Sequence, residues 1–307
     1  FIFNFSKKLT ENNFKTTNIC SNRYDFENFA GCSIKYSSFR LKRRLPLITF
    51  IYEFLFLEIY SFFYLLKNMS NYNIIISYGE VGFMCSILCK IFKKKHVKYF
   101  FVIYKDLVYL RQKEINLYKK DNSTLKIKIL SFLNKIENII RICLERYFIK
   151  HEKNFITASK LTKKRLRPNK EKKILVNYYY HNLDKRKHYS NTNNLKKNLL
   201  LIGNDIYLKG LLKFLHVVKK DYSFYLKNTN ILVVGISNMK EFKRNIEYLN
   251  LGEIINYKTH TNKIDDFYDN VDLFVNLSNI EGWNISIMDA YLKKINIFST
   301  RVGCINE

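Results

Sequence analysis

The sequence runs to 307 residues, longer than one ordinary domain, which points to two. Its 47% hydrophobic and 26% charged residues exclude a disordered or fibrous chain and supply apolar material for two cores. The formal charge of +27 favours anionic partners, but there is no arginine-rich arm, no paired Cys/His zinc spacing and no aromatic RNA-binding signature, so nucleic acid is set aside as unlikely.

After a short opening helix, NNFKTTNIC is predicted as a strand. The run Leu45 to Leu66 follows Arg40, Lys42, Arg43 and Arg44 and starts with Pro46 at a helix N1 position. At about 20 residues it is long enough to span a bilayer, yet Glu53 and Glu58 would be costly at mid-membrane. Its first reading is a helix buried against the N-terminal sheet. An interfacial membrane helix, suggested by its aromatic side chains and basic flank, and a transmembrane span are the alternatives.

NYNIIISYG reads as a strand, Met84 to Phe92 as a helix and HVKYFFVIYK as a strand. Over residues 124–150, Ile129, Leu133, Ile136, Ile140 and Leu144 recur at helical spacing. KNFITAS is a predicted strand, LTKKRL a helix stopped by Pro168, and KKILVNYYY a strand. Residues 181–198 are polar and lack apolar periodicity, so they read as a linker. The expected domains are 1–183 and 184–307.

The second half repeats the alternation. NLLLIGN, NILVVGIS, EIINYK, VDLFVNLS and INIFST read as strands, with helices at KGLLKFLHVVKK, MKEFKRNIEYLN and NISIMDAYLKK and a short helix at KIDDFYDN. Such alternation implies an α/β fold with parallel, doubly wound sheets. The six cysteines are scattered and no signal peptide is apparent, which fits a reducing cytosol; Cys85 and Cys89 read as buried helix cysteines rather than metal ligands. The first residue is Phe1, and the sequence stops at Glu307 just after a predicted strand and turn, so both ends are expected to be cut.

Three loops carry candidate chemistry. In IGNDIYLKG a strand ends at Gly203, and Lys209 offers a compact cation before Gly210 opens a helix. In VVGIS a strand ends at Gly235, against which a base or ribose can lie. In LSNIEGWNISIMDA, Glu281 and Gly282 occupy a loop and a helix begins near Asn284. The first amides of that helix, from Trp283, Asn284, Ile285 and Ser286, form an anion site. Asp289 follows Glu281 by eight residues, so a loop carboxylate and a helix carboxylate bracket the ligand.

This ordered series closes with STRVGCINE (Val302, Gly303, Glu307) and resembles the retaining GT-B glycosyltransferases of family four, which include lipopolysaccharide-core glucosyltransferases. The resemblance implies two Rossmann-like domains facing across a cleft, here without the first strand and the last helices. It implies that Lys209 neutralises the donor diphosphate, that the backbone at Gly282, Trp283, Asn284 and Ile285 holds its phosphates, and that Glu281 contacts the transferred sugar. Asp289 stands where the family has a ribose-binding Glu, Asn204 where an Arg usually follows the first glycine, and Lys105 or Asp106 where a His commonly reaches the donor sugar.

The implied partners are a nucleotide-sugar donor, a glycolipid or polysaccharide acceptor and an anionic membrane surface. No cofactor and no metal is expected, since the sequence has no Asp-x-Asp triplet. The implied location is the cytoplasm, peripheral on the inner face of the membrane. A catalytically inactive sugar-nucleotide binder and a basic nucleic-acid-binding protein are the rival readings.

Overall fold

The structure is a computed structural model that describes residues 9, 11–13, 15–20, 32–36, 46–79, 81–118, 125–166, 171–177, 195–259, 261, 264–303, 305 and 307. The expected opening helix before residue 12, the Pro168 stop, Cys304 and most of the 181–198 linker, with the boundary after residue 183, lie outside them.

Contacts divide the chain into two compact units. One holds Phe1–Phe100, Asp121–Thr157 and Leu166–Leu175; the other holds Phe101–Lys120, Ala158–Arg165 and Val176–Glu307.

In the first unit, β1 (Thr16–Cys20) and β2 (Cys32–Tyr36) form a parallel pair of their own. Helix α1 (Pro46–Asn68) leads to β3 (Ile74–Tyr78), α2 (Phe83–Ile91) and β4 (Lys95–Phe100). Helix α3 (Tyr104–Tyr118) belongs to the second unit; α4 (Leu125–His151) and β5 (Asn154–Thr157) continue the first, α5 (Lys160–Arg165) belongs to the second, and β6 (Lys173–Val176) closes the first unit's sheet. The sheet order is β3-β4-β5-β6, with β3 parallel to β4 and β4 parallel to β5.

Two expectations need correction here. The strand expected to reach Lys105 ends at Phe100, and the chain turns into α3, whose first turn carries Lys105 and Asp106. Helix α1 is not buried all round. Leu65 packs with Met69, Cys85 and Leu88, while Ile51, Leu55, Ile59, Phe63 and Leu66 face outward. Among the described residues, no helix is long and apolar enough to cross a membrane.

The second unit contains β7 (Lys197–Ile202), α6 (Leu211–Lys220), α7 (Tyr222–Asn228), β8 (Thr229–Ile236), α8 (Met239–Leu249), β9 (Ile255–Thr259), β10 (Leu273–Asn276), α9 (Ile285–Leu292) and β11 (Asn296–Ser299). A short 3-10 helix at Ile264–Tyr268 precedes β10. The sheet is parallel throughout, ordered β11-β10-β7-β8-β9. Leu199 and Leu201 of β7, Ile231 and Val233 of β8, and Leu211, Leu215 and Val218 of α6 meet in one core with Phe242 and Ile246 of α8.

That strand order places the site. The chain winds outward from β7 through β8 to β9, then returns to the other side of β7 for β10 and β11. The connections after neighbouring strands β7 and β10 therefore run on to opposite sides of the pair, and the carboxyl ends of two such strands are where these sheets bind ligands.

Candidate active site at the carboxyl ends of β7 and β10

The loop after β7 is held tightly. The Asp205 carboxylate accepts from the amides of Tyr207 and Leu208, both at 2.9 Å, and Lys209 N donates to Asp205 O at 3.0 Å. An aspartate that bonds backbone two and three residues on fixes a turn by itself. Arg111 of α3 holds the other Asp205 oxygen at 3.2 Å. Gly203 leaves room for the Lys209 stem, because a Cβ there would overlap Lys209 Cβ and Cγ. Gly235 lies inside β8, at a register shift between Val234 and Ile236, with Gly203, just past the end of β7, beside it. Asn204 is exposed.

Gly210 ends this turn at φ +66°, and a Cβ there would run into the Leu277 carbonyl. Gly210→Ala therefore combines left-handed strain with a clash against backbone. It is expected to cost about 2–4 kcal/mol, read as a loss in denaturant unfolding free energy.

The loop after β10 is stitched to the first. Asn279 N donates to Leu208 O at 2.8 Å, and Asn279 Nδ2 donates to Tyr207 O at 3.3 Å. Gly282 passes so close to Phe101 that any Cβ would overlap the Phe101 carbonyl. Next to it Trp283 and Asn284 are buried. Asn284 is the N-cap of α9, its side-chain oxygen accepting from Ile287 N at 3.1 Å. The cap takes the third amide of the helix. The amides of Ile285 and Ser286 precede any intrahelical partner, as the first amides of a helix do.

A polar network fixes the cap from beneath. Asn276 Oδ1 accepts from Asn284 Nδ2 at 3.1 Å and from Ser278 Oγ at 2.7 Å, while Asn276 Nδ2 donates to Ser299 Oγ at 3.0 Å. Gly303, in the loop after β11, lies over the same spot: a Cβ on it would stand 3.1 Å from Glu281 Cβ and 3.2 Å from Asn284 N.

These loops bring the Lys209 ammonium into an ion pair with Glu281 Oε1. The Glu281 side chain is 9% exposed and that of Lys209 26%, so the cation is the more accessible partner. The structure thus unites Gly203, Lys209, Gly235, Glu281, Gly282, Trp283, Asn284 and Ile285 around the ends of β7, β8 and β10. Asp289 is buried in the second turn of α9; after burial itself, its charge is the largest influence raising the Tyr268 phenol. Asp106 is engaged elsewhere, with Arg165 at 3.2 Å, and Lys105 is exposed beside it.

Asp205, Asn276 and Asn279 are the residues sequence reasoning missed. An Asp in the loop directly after a strand is a legible turn signal. The pairing of Asn276 with Asn284 depends on the sheet and has no local signature.

The chain is similar to several solved structures. Sucrose-phosphate synthase from Thermosynechococcus elongatus is 12% identical, with a TM-score of 0.72 over 98% of this chain and 74% of that one. HepE from Anabaena, solved with UDP and glucose, is 11% identical, with a TM-score of 0.64 over 98% and 76%. WaaG, described as a glycosyltransferase involved in lipopolysaccharide biosynthesis, is 12% identical, with a TM-score of 0.62 over 97% and 77%. The chain has the GT-B fold. At these identities the likeness concerns the backbone: no family model matches the sequence, and no curated protein does. Within the GT-B frame, the candidate site occupies the switch point of the second unit's sheet, between β7 and β10.

Proposed function

We propose that this chain is a glycosyltransferase that moves a sugar from a nucleotide-sugar donor to a lipid-linked or polysaccharide acceptor, with retention at the anomeric carbon. The observation that carries the reading is the Lys209–Glu281 pair beside the start of α9, at the sheet's switch point. A cation and unpartnered helix amides suit two linked phosphates. A carboxylate held next to that cation suits the hydroxyls of the attached sugar.

In the reaction, the bond from the anomeric carbon to the diphosphate oxygen breaks through an oxocarbenium-like transition state. The acceptor oxygen bonds that carbon, and its proton passes to the departing diphosphate. Negative charge grows on the leaving phosphate, where Lys209 and the amides at the start of α9 stabilise it. These groups supply the charge that a metal would otherwise bring, so we assign no metal and no cofactor. Gly282, Trp283, Asn284 and Ile285 line the phosphate end, Gly203 and Gly235 the base and ribose, and Asp289 the ribose hydroxyls.

Support for a nucleotide donor comes from HepE, solved with UDP and glucose, and support for a glycolipid or polysaccharide acceptor from WaaG. The free thiols of Cys85, Cys89 and Cys143 suit a reducing compartment, the cytoplasm. One observation favours a second reading, a sugar-nucleotide binder without turnover: Asn204 is exposed where the resemblance calls for a cation.

The deciding experiment is a donor-hydrolysis screen of the protein against UDP-, GDP- and ADP-sugars. Release of nucleoside diphosphate from one of them is the expected result. Calorimetric binding without release would establish the second reading, and neither binding nor release would remove both.

A further inference from the structure

Helix α3 lies in the first half of the sequence but packs as part of the second unit. Of residues 111–117, all but two are exposed. Glu114 is buried, at 5% exposure, and Ile115 packs against the core that β7, β8 and α6 share. Arg111, Glu114 and Ile115 stand three and four residues apart, on one face of the helix. A carboxylate is among the side chains least often buried, and one that is buried needs a partner.

Both charged residues of that face reach the candidate site through one intermediate. Arg111 Nε lies 3.2 Å from Asp205 Oδ2. The other oxygen, Asp205 Oδ1, accepts from the amides of Tyr207 and Leu208, and the Asp205 carbonyl accepts from Lys209 N. The last torsion of an aspartate is loosely held by itself. The guanidinium therefore fixes which carboxylate oxygen faces the loop, and with it the turn that aims Lys209. On the next turn of α3, Glu114 Oε1 lies 3.8 Å from Lys213 Nζ, and the same ammonium donates to Asn279 Oδ1 at 3.2 Å. Asn279 donates in turn to the carbonyls of Tyr207 and Leu208. The two loops are thus joined at Asn279, two residues before Glu281.

Stability alone does not account for these pairs. Arg111 is 53% exposed and Lys213 39%, and ion pairs with so accessible a cation contribute little to folding. What the two pairs share is their destination: one ends on the loop of Lys209, the other on the loop of Glu281.

We propose that Arg111 and Glu114 are positioning residues for sugar transfer: from one face of α3 they hold the two loops whose Lys209 and Glu281 meet beside the leaving diphosphate. Such a role rests on the sugar-transfer reading and extends the site to a helix that acts through the loops rather than on the donor.

The test is a cycle of variants of the full chain, Arg111→Ala, Lys209→Ala and the two together, assayed with the nucleotide-sugar that the wild type hydrolyses. Arg111→Ala is expected to lower kcat by about tenfold, to change KM for donor by less than about twofold and to keep the wild-type melting temperature. In the Lys209→Ala background the same substitution is expected to cost less than about twofold, because a residue that acts by aiming Lys209 then has nothing to aim. Glu114→Gln keeps the shape of the side chain and removes its charge; it is expected to lower kcat by about threefold to tenfold, and to add little to Glu281→Gln. Hydrogen exchange reads the loop without any donor. The amides of Tyr207, Leu208 and Lys209 should exchange at least about fivefold faster in Arg111→Ala.

Unchanged kcat, or unchanged exchange, in Arg111→Ala would overturn the proposal. So would a loss of equal size with and without Lys209, which would make the part of the arginine structural. A wild type that hydrolyses no donor removes the sugar-transfer reading and this role with it, whereas an active wild type indifferent to both α3 variants removes this role alone.

Discussion

Lys209→Ala is expected to cut sugar transfer by about a hundredfold to a thousandfold, the usual cost of removing one group that stabilises charge developing in a transition state. The loss should fall mainly on kcat, because charge on the diphosphate is greatest as it departs. Glu281→Gln should instead weaken the hold on the transferred sugar and leave the lysine without its counter-charge, lowering kcat/KM for donor. Neither change should unfold the protein. The pair is partly exposed, and such pairs contribute about 1 kcal/mol or less. Steady-state kinetics of both variants, beside melting curves that show them folded, checks the assignment. Wild-type turnover in Lys209→Ala would remove the ammonium from the mechanism and with it the proposed site.

The loops that carry this prediction were readable because their constraints are local. A glycine at the end of a buried strand, a lysine before the next helix, and an acidic residue followed by glycine before an apolar helix each have a physical meaning within ten residues of chain. Strand order was implied by alternation, but the meeting of Lys209 with Glu281, 72 residues apart, is a product of β10 returning to lie beside β7.

Where the reading fell short, distant contacts decide. The strand read through Lys105 stops at Phe100, because β-like composition continues into residues that the structure winds into α3. That helix carries Arg111 and Glu114, which reach Asp205 at 3.2 Å and Lys213 at 3.8 Å. Nothing in its own sequence announces those partners. Glu58 shows the same limit. As a charge in an apolar run it correctly argued against a membrane span, yet its role as the cap of α2 depends on residues 24 to 26 positions away.

The cluster around Glu58 yields the other large effect. Lys98 is fully buried in β4, its ammonium donating to Ser77 Oγ at 3.1 Å and to the Val81 carbonyl, 3.7 Å from the centre of the Phe148 ring. Burial lowers its pKa to about 7, against the opposing pull of Glu58, Cys85 and Glu152. Glu58→Ala removes one of those carboxylates and uncaps three amides at once, so a loss of about 3–5 kcal/mol is expected in denaturant unfolding. Lys98→Met separates the charge from the packing.

In the unfolded chain the lysine keeps its proton up to about pH 10.4. Between about 7 and that value the unfolded state holds more protons, so this group's contribution to stability rises with pH. Below about 7 both states are charged and the full cost of burying the ammonium remains. The buried thiols act in the opposite sense, since Cys85 is raised to about 12 and Cys89 to about 11, and they begin to count only above the ordinary thiol range near about 8.5. Unfolding at pH 7.0 and 8.5 therefore isolates the lysine. The wild type should gain up to about 2 kcal/mol relative to Lys98→Met across that interval. Other titrating groups are shared by both proteins and cancel in the difference. A difference that stays flat with pH would mean that the Lys98 ammonium reaches water in the folded protein.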